Sequence, residues 1–256
     1  MKSSIIKEKI MQAVFLVAAC ASILAVALIC IFLFANGLPA MGKIGVFQFL
    51  FGTKWKPGND IYGIFPMILG SIYVTAGAVV IGVPVGILTS VFMAEYCPEK
   101  IYKPLKSATE LLAGIPSIVY GFFGLVVLVP LIRSAFPGKT NGSSILTSSI
   151  LLGMMILPTI IGVTESSLRT VPRQYFEGAL ALGATKERSI FTVMIPAAKS
   201  GIMAGVVLGV GRAIGETMAV MMVAGNQARV PDSILQGVRT LTTNIVLEMG
   251  YATGLH

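Results

Sequence analysis

The stretch EGALALGATKERSIFTVMIP, Glu177 to Pro196, lies between two long apolar runs and differs from both. Small residues crowd its first half: Gly178, Ala179, Ala181, Gly183 and Ala184. Lys186, Glu187 and Arg188 follow, and Pro196 closes it. Pro172, upstream, suits the first turn of a helix, where its missing N–H costs nothing. From there Phe176, Ala179, Leu180 and Gly183 recur at i, i+3, i+4 and i+7, which predicts a helix with one apolar stripe. Gly183 can take the left-handed conformation that ends a helix. Thr185 can then cap a second helix, with Glu187 in its first turn, where a carboxylate complements the dipole. Two short helices meeting at a glycine predict a compact knob with few bulky side chains. Such a surface suits docking into a partner's groove or lying on lipid headgroups, and the residues alone leave both open.

The rest of the chain places that knob beside a membrane. Of 256 residues 55% are hydrophobic and only 12% charged, against about 25% charged in soluble domains; mean hydropathy is +0.87. The net charge of +8 does not point to nucleic acid, because the basic residues flank apolar runs as membrane topology requires. Stretches free of charge and near the ~20 residues a crossing needs are Ala13–Ala35, Ile61–Ala94, Leu111–Ile132 and Ile145–Thr164. A fifth, Ala197–Ala224, carries Lys199 at its edge and Arg212 and Glu216 inside. The first run exceeds the ~7–15 apolar residues of a cleavable signal, so it is expected to stay as a span, with Asn36-Gly37-Leu38-Pro39 as a turn. The second is overlong and is expected to bend, or to begin at the interface, around Gly82-Val83-Pro84-Val85-Gly86. Five spans with the N-terminus inside put eleven Lys and Arg in the cytoplasm and seven outside. The knob then faces the cytoplasm.

Little else carries chemistry. Cys20, Cys30 and Cys97 lack metal-ligand or redox spacing. Phe136-Pro137-Gly138-Lys139-Thr140 resembles the end of a phosphate-binding loop but lacks its first glycine, since Arg133 stands there. The sole histidine is His256, and no carboxylate or thiol cluster forms, so neither a metal, a cofactor nor a catalytic role is expected. Arg212 stands mid-span, where a charge costs about 2.5–3.5 kcal/mol by insertion scales. Glu216, four residues on, is expected to pair with it along one helical face. Gly201, Gly205 and Gly209 share that arc, which aims both charges into the bundle. Such a pair is either a packing device or part of a pathway. The Gly114-Ile115-Pro116-Ser117 turn breaks a helix early in the third run, where freed backbone groups need protein partners or a water-filled cavity.

Glu177-Gly178-Ala179-x3-Gly183-x9-Val193-x-Ile195-Pro196 resembles the cytoplasmic loop of ABC importer permeases, E-A-A-x3-G-x9-I-x-L-P. Leu111–Leu131, Leu157–Thr185 and Gly209–Asn226 are similar to permeases of bacterial phosphate ABC importers, with GRAIGETMAV followed by AGN closer to the C-type subunit than to its A-type partner. The resemblance implies an all-α, polytopic membrane protein of the type I ABC importer permease fold. It also implies six spans, so that with five predicted here the sixth is expected to follow Gly254-Leu255-His256. Residues 1–60 would form the N-terminal tail, first span and outer loop, and 61–256 the permease core, with the coupling loop at 165–196. Implied partners are a second permease in a heterodimer, two ATP-binding subunits seated on the loop, an extracytoplasmic phosphate-binding protein and membrane lipid. Glu177, Gly178, Ala179, Gly183, Ile195 and Pro196 would couple to the ATPase, and Arg212 and Glu216 would border the translocation pathway. The implied activity is phosphate import across the bacterial cytoplasmic membrane, with ATP hydrolysed by the partners. A permease for molybdate or sulfate is the near alternative, and a self-contained channel or a membrane enzyme the distant one.

Overall fold

A computed structural model describes residues 2–250 and 252; His256 and the Gly254–His256 end from which a sixth span is expected lie outside them. The chain opens with α1, Lys2–Ile44, a single helix that runs through Asn36 and Pro39. The expected turn there is not made: the Asn36 amide donates to the Phe32 carbonyl at 2.8 Å and the helix continues. After α2, Val46–Phe51, a two-residue ribbon pairs β1 (Trp55–Lys56) antiparallel with β2 (Ile61–Tyr62). Then α3, Phe65–Val91, passes through Pro84 into a wide π-type turn, Phe92–Tyr96. Together these form one span, Phe65–Tyr96, so no break falls at Gly82–Gly86.

The third apolar run divides where Pro116 disfavours helical backbone at the residue before it: Ile115 is extended, at φ −70° and ψ 126°. Upstream lies α4, Glu99–Gly114, which takes Leu111 and Leu112. Downstream, α5 (Ser117–Phe123), a second wide turn (Gly124–Leu128) and α6 (Val129–Ala135) make the span. It therefore begins six residues later than composition suggests. The fourth run is α7, Ile145–Thr170, whose Ser144 side chain caps it by accepting from the Thr147 N–H. The knob follows as α8 (Arg173–Ala181) and α9 (Lys186–Ser189), then a third wide turn (Ile190–Met194) and α10 (Ile195–Ala197). α11, Lys199–Gly215, turns 70° from that segment. It stops short of Glu216, and α12 (Met218–Val223) resumes beyond. α13, Leu241–Glu248, ends the described helices with a capping box on Thr240 and Thr243. Among the described residues four helices are long and apolar enough to cross a membrane, or five if the bent pair is one span.

α7 is the centre. Its Leu151, Leu152, Met155, Ile156 and Ile160 are almost fully buried and join Val74 and Ala78 of α3, Ala213 of α11 and Ala219, Val220 and Val223 of α12 in one apolar core. Glycines let both flanking helices come this close. A methyl added at Gly82 of α3 would meet Ile156 and the Gly153 carbonyl at 2.8 Å. On α11, added methyls at Gly205 and Gly209 would stand 3.1 Å from Thr164 Oγ1 and 2.9 Å from Ile160, and one at Gly201 would strike Ser167. The four-residue glycine spacing thus marks the α7 contact, with backbones near enough for dispersion to replace the hydrophobic drive that lipid removes.

Gly209→Leu should therefore destabilise the bundle by about 1–3 kcal/mol through overpacking. Gly211→Leu, on the same helix with open space around it, should leave stability near wild type. Thermal unfolding in detergent measures both; equal midpoints would remove the glycine contact as the reason for the packing.

Candidate functional site

The knob is built as its sequence indicates. Pro172 precedes α8, Gly183 sits at φ +85° with nothing within 4 Å of a would-be side chain, and Thr185 Oγ1 accepts from the Arg188 N–H at 3.3 Å. Positive φ is costly for any residue with a branched Cβ, so the hinge between α8 and α9 belongs to glycine. Glu177, Gly178 and Gly183 are exposed, Ala179 is half-buried, Ile195 is half-buried and Pro196 is exposed. Leu182 is 91% exposed and Tyr175 56%. An apolar tip held out by two short helices is a shape that burial against another surface would stabilise.

Behind the knob lies a charge cluster that span counting alone does not reveal. Glu165, near the end of α7, is 1% exposed. Its carboxylate accepts from Tyr102 Oη at 2.8 Å, Lys106 Nζ at 2.7 Å and Arg169 Nε. The Arg169 guanidinium also stacks 4.3 Å from the Tyr102 ring centre and donates through Nη2 to the Met93 carbonyl at 3.0 Å. That carbonyl is free for a reason. In the wide turn the Cys97 N–H reaches back to Phe92, and Pro98 has no N–H to offer Met93. Arg173 Nη1 donates to Glu95 Oε2 at 3.0 Å, and Lys186 Nζ stands 4.6 Å over the Tyr96 ring. The sequence signal was present as Glu165 and Arg169 at i, i+4 just after the fourth apolar run, but nothing local shows that Tyr102 and Lys106 come to meet them.

Arg212 and Glu216 do not pair. α11 ends at Gly215, so Glu216 leaves the helical arc with extended backbone, φ −70° and ψ 128°. Its Oε2 accepts from Ser117 Oγ at 3.1 Å and its Oε1 from the Ala219 N–H at 3.1 Å, at the start of α12. Arg212 stands in the last turn of α11 and donates to Thr159 Oγ1 of α7 at 3.4 Å. Each charge is explained by the break: the cation complements a helix C-terminus and the carboxylate a helix N-terminus. Both are half-buried. A cavity of about 10 Å³ beside the break is lined by Ser71, Thr75, Glu216, Thr240 and Thr242 and by as many apolar side chains from α3, α7, α11 and α12, room for one water at most. Thr242 Oγ1 donates to the freed Glu216 carbonyl at 3.1 Å. A discontinuous span with polar side chains at the break is how helical transporters place polar groups at membrane depth.

The chain is similar to known proteins. The family described as "Binding-protein-dependent transport system inner membrane component" matches residues 82–255. The Bacillus subtilis protein named "Probable ABC transporter permease protein YqgH" is 43% identical over 93% of this chain and 79% of its own. The "Phosphate transport system permease protein PstC" of Mesorhizobium japonicum is 37% identical, covering 88% and 74%. The "Probable phosphate transport system permease protein PstC" of Methanocaldococcus jannaschii is 33% identical, covering 86% and 76%. Among solved structures, the inward-facing MetNI methionine ABC transporter matches with a TM-score of 0.53 and 19% identity over 75% of this chain and 82% of that one, a likeness of fold.

The Glu165 cluster sets a pH response. The hydrogen bond to Glu165 raises the Lys106 pKa above the ordinary lysine range, and the same acceptor raises that of Tyr102. Both groups hold their protons more tightly when folded, so their contribution is full below the ordinary values, about 10, and is lost as pH rises through the raised ones. Lys106→Met should cost about 2–3 kcal/mol by leaving a buried carboxylate short of a donor, and should flatten the alkaline fall in stability. Detergent unfolding midpoints from pH 8 to about 11 check this; an unchanged alkaline profile would show that Lys106 is not part of the titrating cluster.

Proposed function

The chain belongs to the binding-protein-dependent transport system inner membrane components, and on that premise we propose that it is the phosphate-translocating permease subunit of an ABC importer. It is a multi-pass membrane protein of the type I permease fold, and its family works with ATPase and binding-protein partners. The finer assembly is our reading: a heterodimer with a second permease, two ATP-binding subunits docked on the knob, and an extracytoplasmic phosphate-binding protein. The N-terminus and the knob then face the cytoplasm, residues 61–256 form the permease core, and residues 1–60 precede it. The observation that carries the reading is the knob itself. Gly183 at φ +85° holds out Leu182, 91% exposed, on an otherwise smooth surface that a groove in a soluble subunit would cover. Relatives named for phosphate transport support the choice of ion.

Arg212 and Glu216 border the proposed pathway. They stand where α11 breaks, and the small cavity there is closed to an oxyanion in this chain alone. Opening it requires movement or the facing surface of the second permease. ATP hydrolysis by the partners would drive that movement through Glu177, Gly178, Ala179, Gly183, Ile195 and Pro196.

Reconstituted with its partners in vesicles, the complex should take up inorganic phosphate with sulfate and molybdate competing weakly. Preferred uptake of either competitor would reassign the ion. Arg212→Gln removes one long hydrogen bond, worth about 1 kcal/mol, so a structural role predicts a small effect. A pathway role predicts more than about tenfold loss of uptake per assembled complex. Wild-type uptake would return Arg212 to packing.

A further inference from the structure

We propose that the wide turn Phe92–Tyr96 relays movement of the Arg173–Ser189 knob to α3 and α4, with Glu95 and Arg173 as its positioning residues. The proposal rests on the reading of the knob as the ATPase-docking element. Both of the knob's helices are fastened to this one turn. Arg173, first residue of α8, donates to Glu95 at 3.0 Å, and Lys186, first residue of α9, lies over the Tyr96 ring at 4.6 Å. The end of α7 holds the same turn through Arg169 and the Met93 carbonyl at 3.0 Å. Residues 93, 95 and 96 are thus gripped from α7, α8 and α9.

The turn is also the end of one span and the approach to another. It continues α3 without interruption and is followed, after Cys97 and Pro98, by α4. α4 carries Tyr102 and Lys106 on Glu165, then ends at the Ile115–Pro116 break, beyond which Ser117 donates to Glu216 at 3.1 Å. Contacts therefore run unbroken from the knob to the break between α11 and α12. π-type turns recur at functional positions in helices, and this one places its buried carboxylate toward the knob: the Glu95 side chain is 2% exposed. A chain of contacts is not coupling until a shift at one end changes the other, so the test must read transmission rather than stability.

Arg173 suits it, because its side chain is 61% exposed and belongs to neither apolar core. In proteoliposomes holding the full complex, three quantities are measured: retained ATPase subunit, ATP hydrolysed, and inorganic phosphate taken up per ATP. Arg173→Glu should retain the ATPase and lose about fivefold or more in uptake per ATP, the lower range of ordinary coupling between sites. Adding Glu95→Arg should restore most of it. Arg173→Lys, which keeps the charge, should stay coupled where Arg173→Gln does not, and this comparison stands even if the double variant fails to fold. Unchanged uptake per ATP in Arg173→Glu and Arg173→Gln overturns the relay, as does loss of the ATPase subunit, which would make Arg173 a docking contact. Gly183→Val, in the same preparation, tests the underlying reading: full ATPase retention and uptake there would remove the knob's role. Loss there with Arg173→Glu still coupled would remove only the relay.

Discussion

Glu165 is the constraint from which the knob-bearing half of this molecule is organised. A carboxylate 1% exposed loses several kcal/mol of hydration, and only donors that converge on it offset the loss. Three do, and they come from two elements: Tyr102 and Lys106 from α4, Arg169 from α7 itself. α4 has few apolar contacts of its own and no buried residue. Its placement beside α7 therefore rests on polar contacts to a greater degree than that of any long span here. Replacing one donor by an apolar group would not merely delete a bond; it would leave the remaining charge stranded. Arg169 links the cluster to the Met93 carbonyl, and through it to the turn that also receives Arg173 and Lys186.

Within the membrane the logic changes from charge to contact distance. Lipid tails are as apolar as leucine, so helices associate through close packing. α7 is met on one side by Gly82 and Gly86 of α3 and on another by Gly201, Gly205 and Gly209 of α11. These glycines lie in helices and cost some helical propensity, which the contact with Ile156, Ile160 and Thr164 offsets. α11 and α12 then part at Glu216 and Thr217, and the released backbone is not left bare: Thr242 donates to the Glu216 carbonyl and the Glu216 carboxylate accepts from Ala219. The break is a satisfied structure rather than a frayed end.

Much of this was legible in the residues. Apolar run length found the spans, the four-residue glycine repeat marked a close-approach face on α11 that α7 fills, and Pro172, Gly183 and Thr185 marked the two helices of the knob. What failed did so for identifiable reasons. Helical arithmetic paired Arg212 with Glu216 because it assumes the helix continues, and Gly215 ends it. The turn expected at Asn36–Pro39 gave way because Asn36 bonds back to Phe32 and leaves the helix intact. Pro116 marked a break correctly, but Leu111 and Leu112 looked like span residues when they belong to the amphipathic α4. The Glu165 cluster joins residues about sixty positions apart, and no local period encodes a meeting at that separation.

The first helix stands apart from these arguments. α1 has 43 residues, about 65 Å at the helical rise, roughly twice the ~30 Å hydrocarbon thickness of a bilayer. None of the residues in its apolar stretch is buried against the bundle, and its principal neighbour is the short α2, whose Phe47 and Phe51 rings stack at 6.3 Å and whose Phe51 lies 6.4 Å from the Phe65 ring at the start of α3. A rod of that length, anchored at one end, cannot stand upright inside the hydrocarbon. It must lean or project, and no packing against the bundle along its apolar stretch fixes which. The amino-terminal arm therefore reaches past the hydrocarbon at one end or both, because its 43 residues exceed what the bilayer core can hold.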